Sequence, residues 1–168
     1  MSNTYTQFSE CFVFTKEQAD LFEKFADMVG FLGNCCPEEL DKDDWNTYDH
    51  KHIDLFQSLG EKDRKTFADV AEFGSIPHKR ESDTEMWVYA EENANLDGVI
   101  LIVRTVLQMT GDHESIYSMT WAIYSDRLRY REFGGGYAVF SADHEDYGDS
   151  WGMAREAEKA MAAKRVQG

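Results

Sequence analysis

Residues 115–142, SIYSMTWAIYSDRLRYREFGGGYAVFSA, contain two alternating segments separated by a connector rich in arginine and glycine. In the first segment large apolar side chains alternate with small or hydroxylated ones, and successive strand residues point to opposite faces of a sheet. The apolar set is Tyr117, Met119, Trp121 and Ile123. Residues 137–142 repeat the alternation. The stretch therefore predicts a β-hairpin on which the remainder of the chain packs.

The connector between these strands, residues 125–136, has two interpretations. Three consecutive glycines adopt backbone conformations that other residues avoid, so they predict a turn or a bulge. Alternatively, their backbone N–H groups form an anion-binding pocket beside three arginines that share one side of an extended segment. The residues of this anion-binding alternative are Arg127, Arg129, Arg131, Gly134, Gly135 and Gly136. No Walker lysine follows, so the connector does not predict a nucleotide site.

Periodicity elsewhere in the chain predicts the remaining elements. Strands are predicted at residues 8–14 and 85–91, and helices at 16–29, 96–110 and 151–164. Thr15 and Gln18 have the spacing of a capping box, and Gly30 is the predicted end of the first helix. Residues 31–80 form an irregular, helical and acidic insertion between the sheet-forming parts. We expect a single α+β domain over residues 1–168, with an antiparallel or mixed sheet of about 4–6 strands and helices mainly on one face.

Length and composition favour a folded protein in a reducing compartment. The 168 residues suit one domain, and 42% hydrophobic residues argue against disorder. No apolar run approaches the roughly 18 residues of a membrane span, and the first residues lack the features of a signal peptide. The three cysteines form no disulfide framework, and Cys11 is expected to be a small core residue. We therefore expect a cytoplasmic protein without membrane contact.

Charge is the most distinctive property of the sequence. There are 32 acidic and 17 basic residues, for a net charge of −15. This charge opposes direct binding to nucleic acid and favours a basic protein partner, although acidity that serves only solubility is the alternative interpretation. Acidic residues at alternate strand positions recur about every 6.6–6.8 Å, comparable with the spacing of phosphates along a nucleic-acid strand. A folded acidic surface could therefore mimic nucleic acid.

The candidate partner-binding residues come from two acidic clusters. The first lies in a stretch without clear periodicity, for which a solvated loop is the alternative, and the second follows the strand at 85–91. The candidates are Glu38, Glu39, Asp41, Asp43, Asp44, Glu91 and Glu92.

Chemistry-bearing motifs are weak. Aspartate precedes histidine at His50, His113 and His144, and His52 and His78 add further imidazoles. Adjacent residues on a strand or helix point apart, so such pairs do not chelate a metal by themselves. No HExxH, GxSxG or recognisable Cys/His motif is present. We therefore predict no catalytic residue, no metal site and no cofactor, and keep a metal-dependent enzyme centred on residues 143–146 as a third interpretation.

Several motifs resemble a widespread set of small proteins of bacteriophages, plasmids and other mobile elements. Those proteins carry a WxYAEE motif, then a helix, a TWA motif and an FGGG stretch followed by an aspartate. The matching residues here are Trp87, Tyr89, Ala90, Glu91, Glu92, Trp121, Ala122, Phe133, Gly134, Gly135, Gly136 and Asp143. The resemblance covers about residues 85–146. The relatives have a Cys-Ser-Lys-Pro-Arg-like connector where this chain has residues 124–129, so no thiol or proline role carries over.

The resemblance implies an origin in a mobile element and assigns no functional residue, because the group has no settled activity. Combined with the charge, it leads to our functional hypothesis. The protein is a non-enzymatic acidic inhibitor that binds a basic nucleic-acid-binding host protein, such as a restriction enzyme or a CRISPR effector, by mimicking nucleic acid. A homodimer is compatible with this hypothesis.

Overall fold

The computed structural model describes residues 4–34, 50–125 and 133–166, with residues 161–166 described by their backbone alone. These residues contain six strands and five helices. In chain order they are β1 (Thr4–Val13), α1 (Lys16–Leu32), α2 (His50–Ser58), α3 (Glu61–Ala71), β2 (His78–Arg80), β3 (Glu85–Ala90), α4 (Leu96–Thr110), β4 (Tyr117–Ser125), β5 (Gly134–Phe140), β6 (Glu145–Asp149) and α5 (Ser150–Val166).

The strands form one sheet in the order β2-β3-β1-β4-β5-β6, and every neighbouring pair is antiparallel. The predicted hairpin is β4–β5, paired from Tyr117 opposite Phe140 to Ile123 opposite Gly134. Strand β1 lies between β3 and β4 and joins the hairpin to the other half of the sheet. The prediction of an α+β fold with an antiparallel or mixed sheet of about 4–6 strands is confirmed, and the sheet is antiparallel with six strands.

The hydrophobic core lies between one face of the sheet and the helices α1 and α4. Phe8 and Phe12 on β1 and Phe14 just after it are buried, and the ring of Phe14 lies 5.7 Å from that of Phe22 on α1. Helix α4 contributes a fully buried stripe at helical spacing, which includes Ile102. Helices α2 and α3 pack on the helical layer, where Phe67 stacks on Phe25 with ring centroids 5.2 Å apart.

Helix α1 begins as predicted and ends later than predicted. Thr15 Oγ1 accepts a hydrogen bond from the Gln18 N–H at 3.2 Å, and Gln18 Oε1 accepts one from the Thr15 N–H at 2.8 Å. The helix continues through Gly30 to Leu32, with Gly33 as its C-cap. The prediction that Gly30 ends the helix is wrong because Leu32, which is 2% exposed, still packs into the core.

The predicted insertion at residues 31–80 contains a strand that periodicity did not reveal. Residues His78–Arg80 form β2, which pairs with β3 at one edge of the sheet. Helix α3 is joined to the start of α4 by Asn95. Its Nδ2 donates to the carbonyl oxygens of Val70 at 2.8 Å and Gly74 at 2.7 Å.

The three consecutive glycines lie in a strand, so the prediction of a turn or bulge there is wrong. Gly134, Gly135 and Gly136 are the first residues of β5 and pair with β4. A Cβ on Gly136 would overlap the ring of Trp121, and one on Gly134 would lie 2.9 Å from Nε1 of Trp151. Glycine is needed here because two tryptophan rings lie against the strand.

Candidate functional site

The outer face of the sheet is the face opposite α1 and α4. Alternation directs Met86, Val88 and Ala90 of β3 into the core, where they are at most 7% exposed. The alternate positions on β3 and just beyond it therefore form an outward row. That row is Glu85, Trp87, Tyr89 and Glu91, with both glutamates exposed and both aromatic residues half-buried.

The two aromatic residues of this row form a stacked pair. The rings of Trp87 and Tyr89 have centroids 4.4 Å apart at an interplanar angle of 27°. Trp87 Nε1 donates to Ser9 Oγ of the neighbouring β1 at 2.9 Å, which fixes the indole on the sheet. Lys79 Nζ lies 6.0 Å from the Trp87 ring centroid and 2.6 Å from Glu81 Oε1. The indole therefore already contacts a cation of the same chain.

A second aromatic pair lies at the end of β3. Tyr5 on β1 stacks on Tyr124 on β4, with ring centroids 5.1 Å apart. The Tyr124 hydroxyl donates to the Glu91 carbonyl oxygen at 3.3 Å, and the Thr6 N–H donates to the Glu92 carbonyl oxygen at 2.6 Å. These bonds hold the backbone of both glutamates where β1, β3 and β4 meet.

A surface groove of about 570 Å³ runs beside the stacked pair Trp87–Tyr89. Its walls combine aromatic rings with uncharged polar groups and one carboxylate. The lining residues are Gln7, Phe8, Ser9, Trp87, Tyr89, Ala90 and Glu91. We call this feature the β1–β3 groove. Its size is within the range of about 300–1,000 Å³ typical of ligand sites.

Some of the acidic residues near β3 are paired with basic side chains. Glu81 is paired with Lys79, and Asp83 lies 3.3 Å from Lys16. Glu91 and Glu92, by contrast, are exposed and make no ion pair within the described residues. They are the predicted partner-binding residues that the described sheet brings next to the groove.

The other predicted site residues have different positions. Glu38, Glu39, Asp41, Asp43 and Asp44, like Arg127, Arg129 and Arg131, lie outside the described residues. The described glycines with positive φ are Gly74 and Gly111, so Gly134–Gly136 do not form the concave N–H arrangement that binds anions. The N–H of Gly135 donates to Ser150 Oγ at 3.2 Å instead.

A third acidic cluster, Asp20 and Glu23 on α1, is a structural cross-link. Arg80 of β2 donates through Nη1 to Asp20 at 2.5 Å and to Glu23 at 2.8 Å. The hydrogen bond from Arg80 lowers the pKa of Asp20. Because one guanidinium engages both carboxylates, this cluster joins β2 to α1 and offers little free charge to a partner.

The histidine motifs give a pair but no metal cluster. His113 Nδ1 and Asp143 Oδ2 lie 2.8 Å apart on the surface, which joins two of the three motifs. Within the described ranges, no group of three or more His, Cys, Asp or Glu residues is arranged to hold a metal ion. Asp112 accepts hydrogen bonds from Ser115 and Gln18 that lower its pKa to about 2, so this carboxylate is a structural acceptor rather than a base.

Cys11 is exposed, so its prediction as a core residue is wrong. It lies opposite Trp87 in the register of β1 and β3 and therefore belongs to the outer face. Desolvation by its neighbours, followed by the charge of Glu85, raises the pKa of the thiol. A raised pKa lowers the thiolate fraction, which argues against a reactive nucleophile.

Sequence alternation separated the two faces of β3 correctly but did not show which face packs against α1 and α4. Both faces of β3 carry large apolar side chains, which is typical of a strand with neighbours on both sides, and β3 lies between β2 and β1. The sequence signal for the site is an alternating pattern in which Glu85 and Glu91 lie on either side of two aromatic residues and share their face of the strand.

The sequence matches no family model, and comparisons with curated proteins and with solved structures found no match. Within the described part of the chain, each helix is too short or too polar to cross a membrane.

Proposed function

We propose that the protein is a non-enzymatic binding protein that takes a basic protein partner on the outer face of β1, β3 and β4. The observation that carries this proposal is the outward row of β3, in which two stacked aromatic rings lie between two exposed glutamates. Aromatic residues supply most of the binding energy at the centres of protein interfaces, and complementary charge at the rim speeds and orients association. The net charge of −15 selects a basic partner.

The finer proposal is that the partner is a nucleic-acid-binding defence protein of a bacterial host, met in the host cytoplasm. The resemblance to mobile-element proteins supports this setting. Glu85 and Glu91 are six positions apart in sequence, which corresponds to about 20 Å of extended chain, and the stacked rings lie between them. Carboxylates beside stacked rings offer a nucleic-acid-binding surface a substitute for phosphates beside stacked bases.

The test compares two double variants of equal charge. Glu91→Lys with Glu92→Lys changes the proposed face, and Glu156→Lys with Glu158→Lys changes the exposed side of α5. Each pair moves the formal net charge from −15 to −11, because each replacement of glutamate by lysine raises the charge by two units. Both variants and the unchanged protein are used to capture proteins from a bacterial lysate at low and at high salt. Bound proteins are then challenged with short duplex DNA.

The proposal predicts capture of nucleic-acid-binding proteins that salt and DNA both release. Salt screens the carboxylates of the proposed face, and DNA competes with them for the partner. Capture should therefore be lost when Glu91 and Glu92 are replaced and retained when Glu156 and Glu158 are replaced. Equal capture by both variants would contradict the proposed face. Capture that is indifferent to DNA would contradict mimicry.

A further inference from the structure

We propose that the β1–β3 groove is an arginine site, into which a partner inserts one guanidinium group. The inference rests on the proposed function, because it names the partner group that the outer face recognises. The groove combines the three features that such a group needs, which are an aromatic face, a carboxylate and uncharged acceptors.

The chemistry of the lining residues favours a planar cation. A guanidinium stacks on an aromatic ring while the nitrogens at its edge donate in the plane to a carboxylate. Trp87 and Tyr89 supply the rings, and the Glu91 side chain supplies the carboxylate at one end of the groove. Gln7 and Ser9 line the wall on β1, where the Gln7 amide and the Ser9 hydroxyl can accept further hydrogen bonds.

The resident lysine shows that a cation is accommodated at this indole. Lys79 lies over Trp87 at 6.0 Å, while its ammonium group also pairs with Glu81 at 2.6 Å. Its side chain is 60% exposed, so the contact is weak and replaceable. An incoming guanidinium would gain the ring stack and Glu91 together, whereas an ammonium is a compact point charge that cannot do both in one plane.

The charge around the groove excludes the other class of ligand that stacks on aromatic rings. A nucleotide base could lie on Trp87, but its phosphates would meet Glu85 or Glu91 at either end of the row. The occupant is therefore a basic peptide segment with arginine rather than a single-stranded nucleic acid.

The experiment measures binding of two synthetic peptides of equal length and charge, one built on arginine and one on lysine, by isothermal titration at low salt. The unchanged protein should bind the arginine peptide more tightly. Tyr89→Leu removes a ring and should weaken arginine binding about threefold to fivefold, whereas Tyr89→Phe keeps the ring and should leave it unchanged. Equal affinity for the two peptides, or equal binding by the two Tyr89 variants, would overturn the arginine site.

A second pair of variants tests the resident cation. Lys79→Gln frees the indole and should strengthen binding of the arginine peptide by about twofold or more beyond Lys62→Gln. Lys62 is exposed on α3, so its replacement makes the same change in net charge without touching the groove. Equal effects of the two replacements would overturn the role of Trp87.

The two proposals fail separately. If Glu91→Lys with Glu92→Lys abolishes capture from lysate while Tyr89→Leu does not change peptide affinity, the arginine site is wrong and the acidic face stands. If the Tyr89 and Lys79 effects appear as expected while lysate capture ignores the Glu91 and Glu92 replacements, the arginine site stands and the proposed function is wrong.

Discussion

At the scale of single residues, Gln18 shows how one side chain can serve two structural roles. Its amide oxygen completes the capping box of α1 by accepting from the Thr15 N–H. Its amide nitrogen donates to Thr110 Oγ1 at 3.2 Å and to Asp112 Oδ2 at 2.9 Å, beyond the end of α4. The residue is 3% exposed. Helix initiation is thereby coupled to the turn that leads into β4.

This double role makes a usually harmless replacement costly. Capping boxes accept glutamate as well as glutamine, but Gln18→Glu would replace the nitrogen donor with a carboxylate facing Asp112. We expect a loss of about 1–3 kcal/mol in the free energy of unfolding at neutral pH, from the lost hydrogen bonds and the like charges. Urea unfolding followed by circular dichroism measures it. A loss below that of Thr15→Ala, which removes only one cap bond, would contradict the coupling.

The matched control combines Gln18→Glu with Asp112→Asn, which restores a donor between the two positions and should recover part of the loss. The single replacement Asp112→Asn tests the pH dependence of stability.

Because the folded-state pKa of Asp112 is about 2, below its ordinary value of 3.8, its carboxylate stabilises the fold above about pH 4. That contribution disappears as the pH falls toward 2, so Asp112→Asn should flatten the acid limb of the stability curve. An unchanged acid limb would contradict the lowered pKa.

At the scale of secondary-structure elements, two glycines three residues apart on α1 have opposite roles. Gly30 lies in the helix interior, and a Cβ there would meet the nearest atom, Ser75 Cβ, at an ordinary 3.6 Å. Gly33 is the C-cap, and a Cβ there would lie 2.8 Å from the Ala71 carbonyl oxygen at the end of α3. Gly33 therefore permits the close approach of two helix ends, and Gly30 has no such role.

Alanine replacements should separate the two roles. Gly30→Ala should raise the free energy of unfolding by about 0.5–1 kcal/mol, because alanine loses less backbone entropy in a helix. Gly33→Ala should lower it by about 1–3 kcal/mol, because backbone atoms must shift to relieve the overlap. Thermal and urea unfolding of the two variants provide the measurement. Destabilisation by Gly30→Ala would mean that α1 does end near the position that the sequence predicted.

Elements with strong periodicity were predictable from sequence, and elements defined by their neighbours were not. The apolar alternation of β4 and the helical stripe of α4 specify those elements locally. Strand β2 has only three residues and exists because His78, Lys79 and Arg80 pair with β3 and because Arg80 is bonded to α1. The glycines of β5 resemble a turn in sequence, since only the folded sheet places the Trp121 ring over them.

The candidate site was predictable to the same extent. Glu91 and Glu92 came from the sequence, as did the shared parity of Trp87 and Tyr89. Their combination into one groove depends on β1 lying beside β3, which supplies Gln7 and Ser9 from a part of the chain almost 80 residues away. Long-range strand pairing of this kind leaves no local signature in the sequence.

At the scale of the whole molecule, acidic side chains repel one another, and the ion pairs on the surface do not cancel this repulsion. The chain has 15 more acidic than basic residues. Several described cations are already held by carboxylates, including Arg80 with Asp20 and Glu23, and Arg104 with Glu145. Exposed carboxylates such as Glu91 and Glu92 therefore contribute to a net repulsive field that opposes the compact state.

This field predicts that added salt stabilises the fold. Between about 10 mM and 300 mM NaCl the Debye length falls from about 30 Å to below 8 Å, which screens repulsion among separated surface charges. Close pairs, such as Arg80 with Asp20 at 2.5 Å, are screened less. We expect the free energy of unfolding to rise by about 1 kcal/mol, the scale of a few exposed charge interactions. Urea, which is uncharged, is the suitable denaturant.

The matched control is the variant with Glu156→Lys and Glu158→Lys, which has a net charge of −11. Its free energy of unfolding should rise less with salt than that of the unchanged protein, because less repulsion remains to be screened. A fall in stability with salt would mean that the close pairs outweigh the repulsion, and the acidity would then be better explained by structural pairing than by a surface kept free for a basic partner.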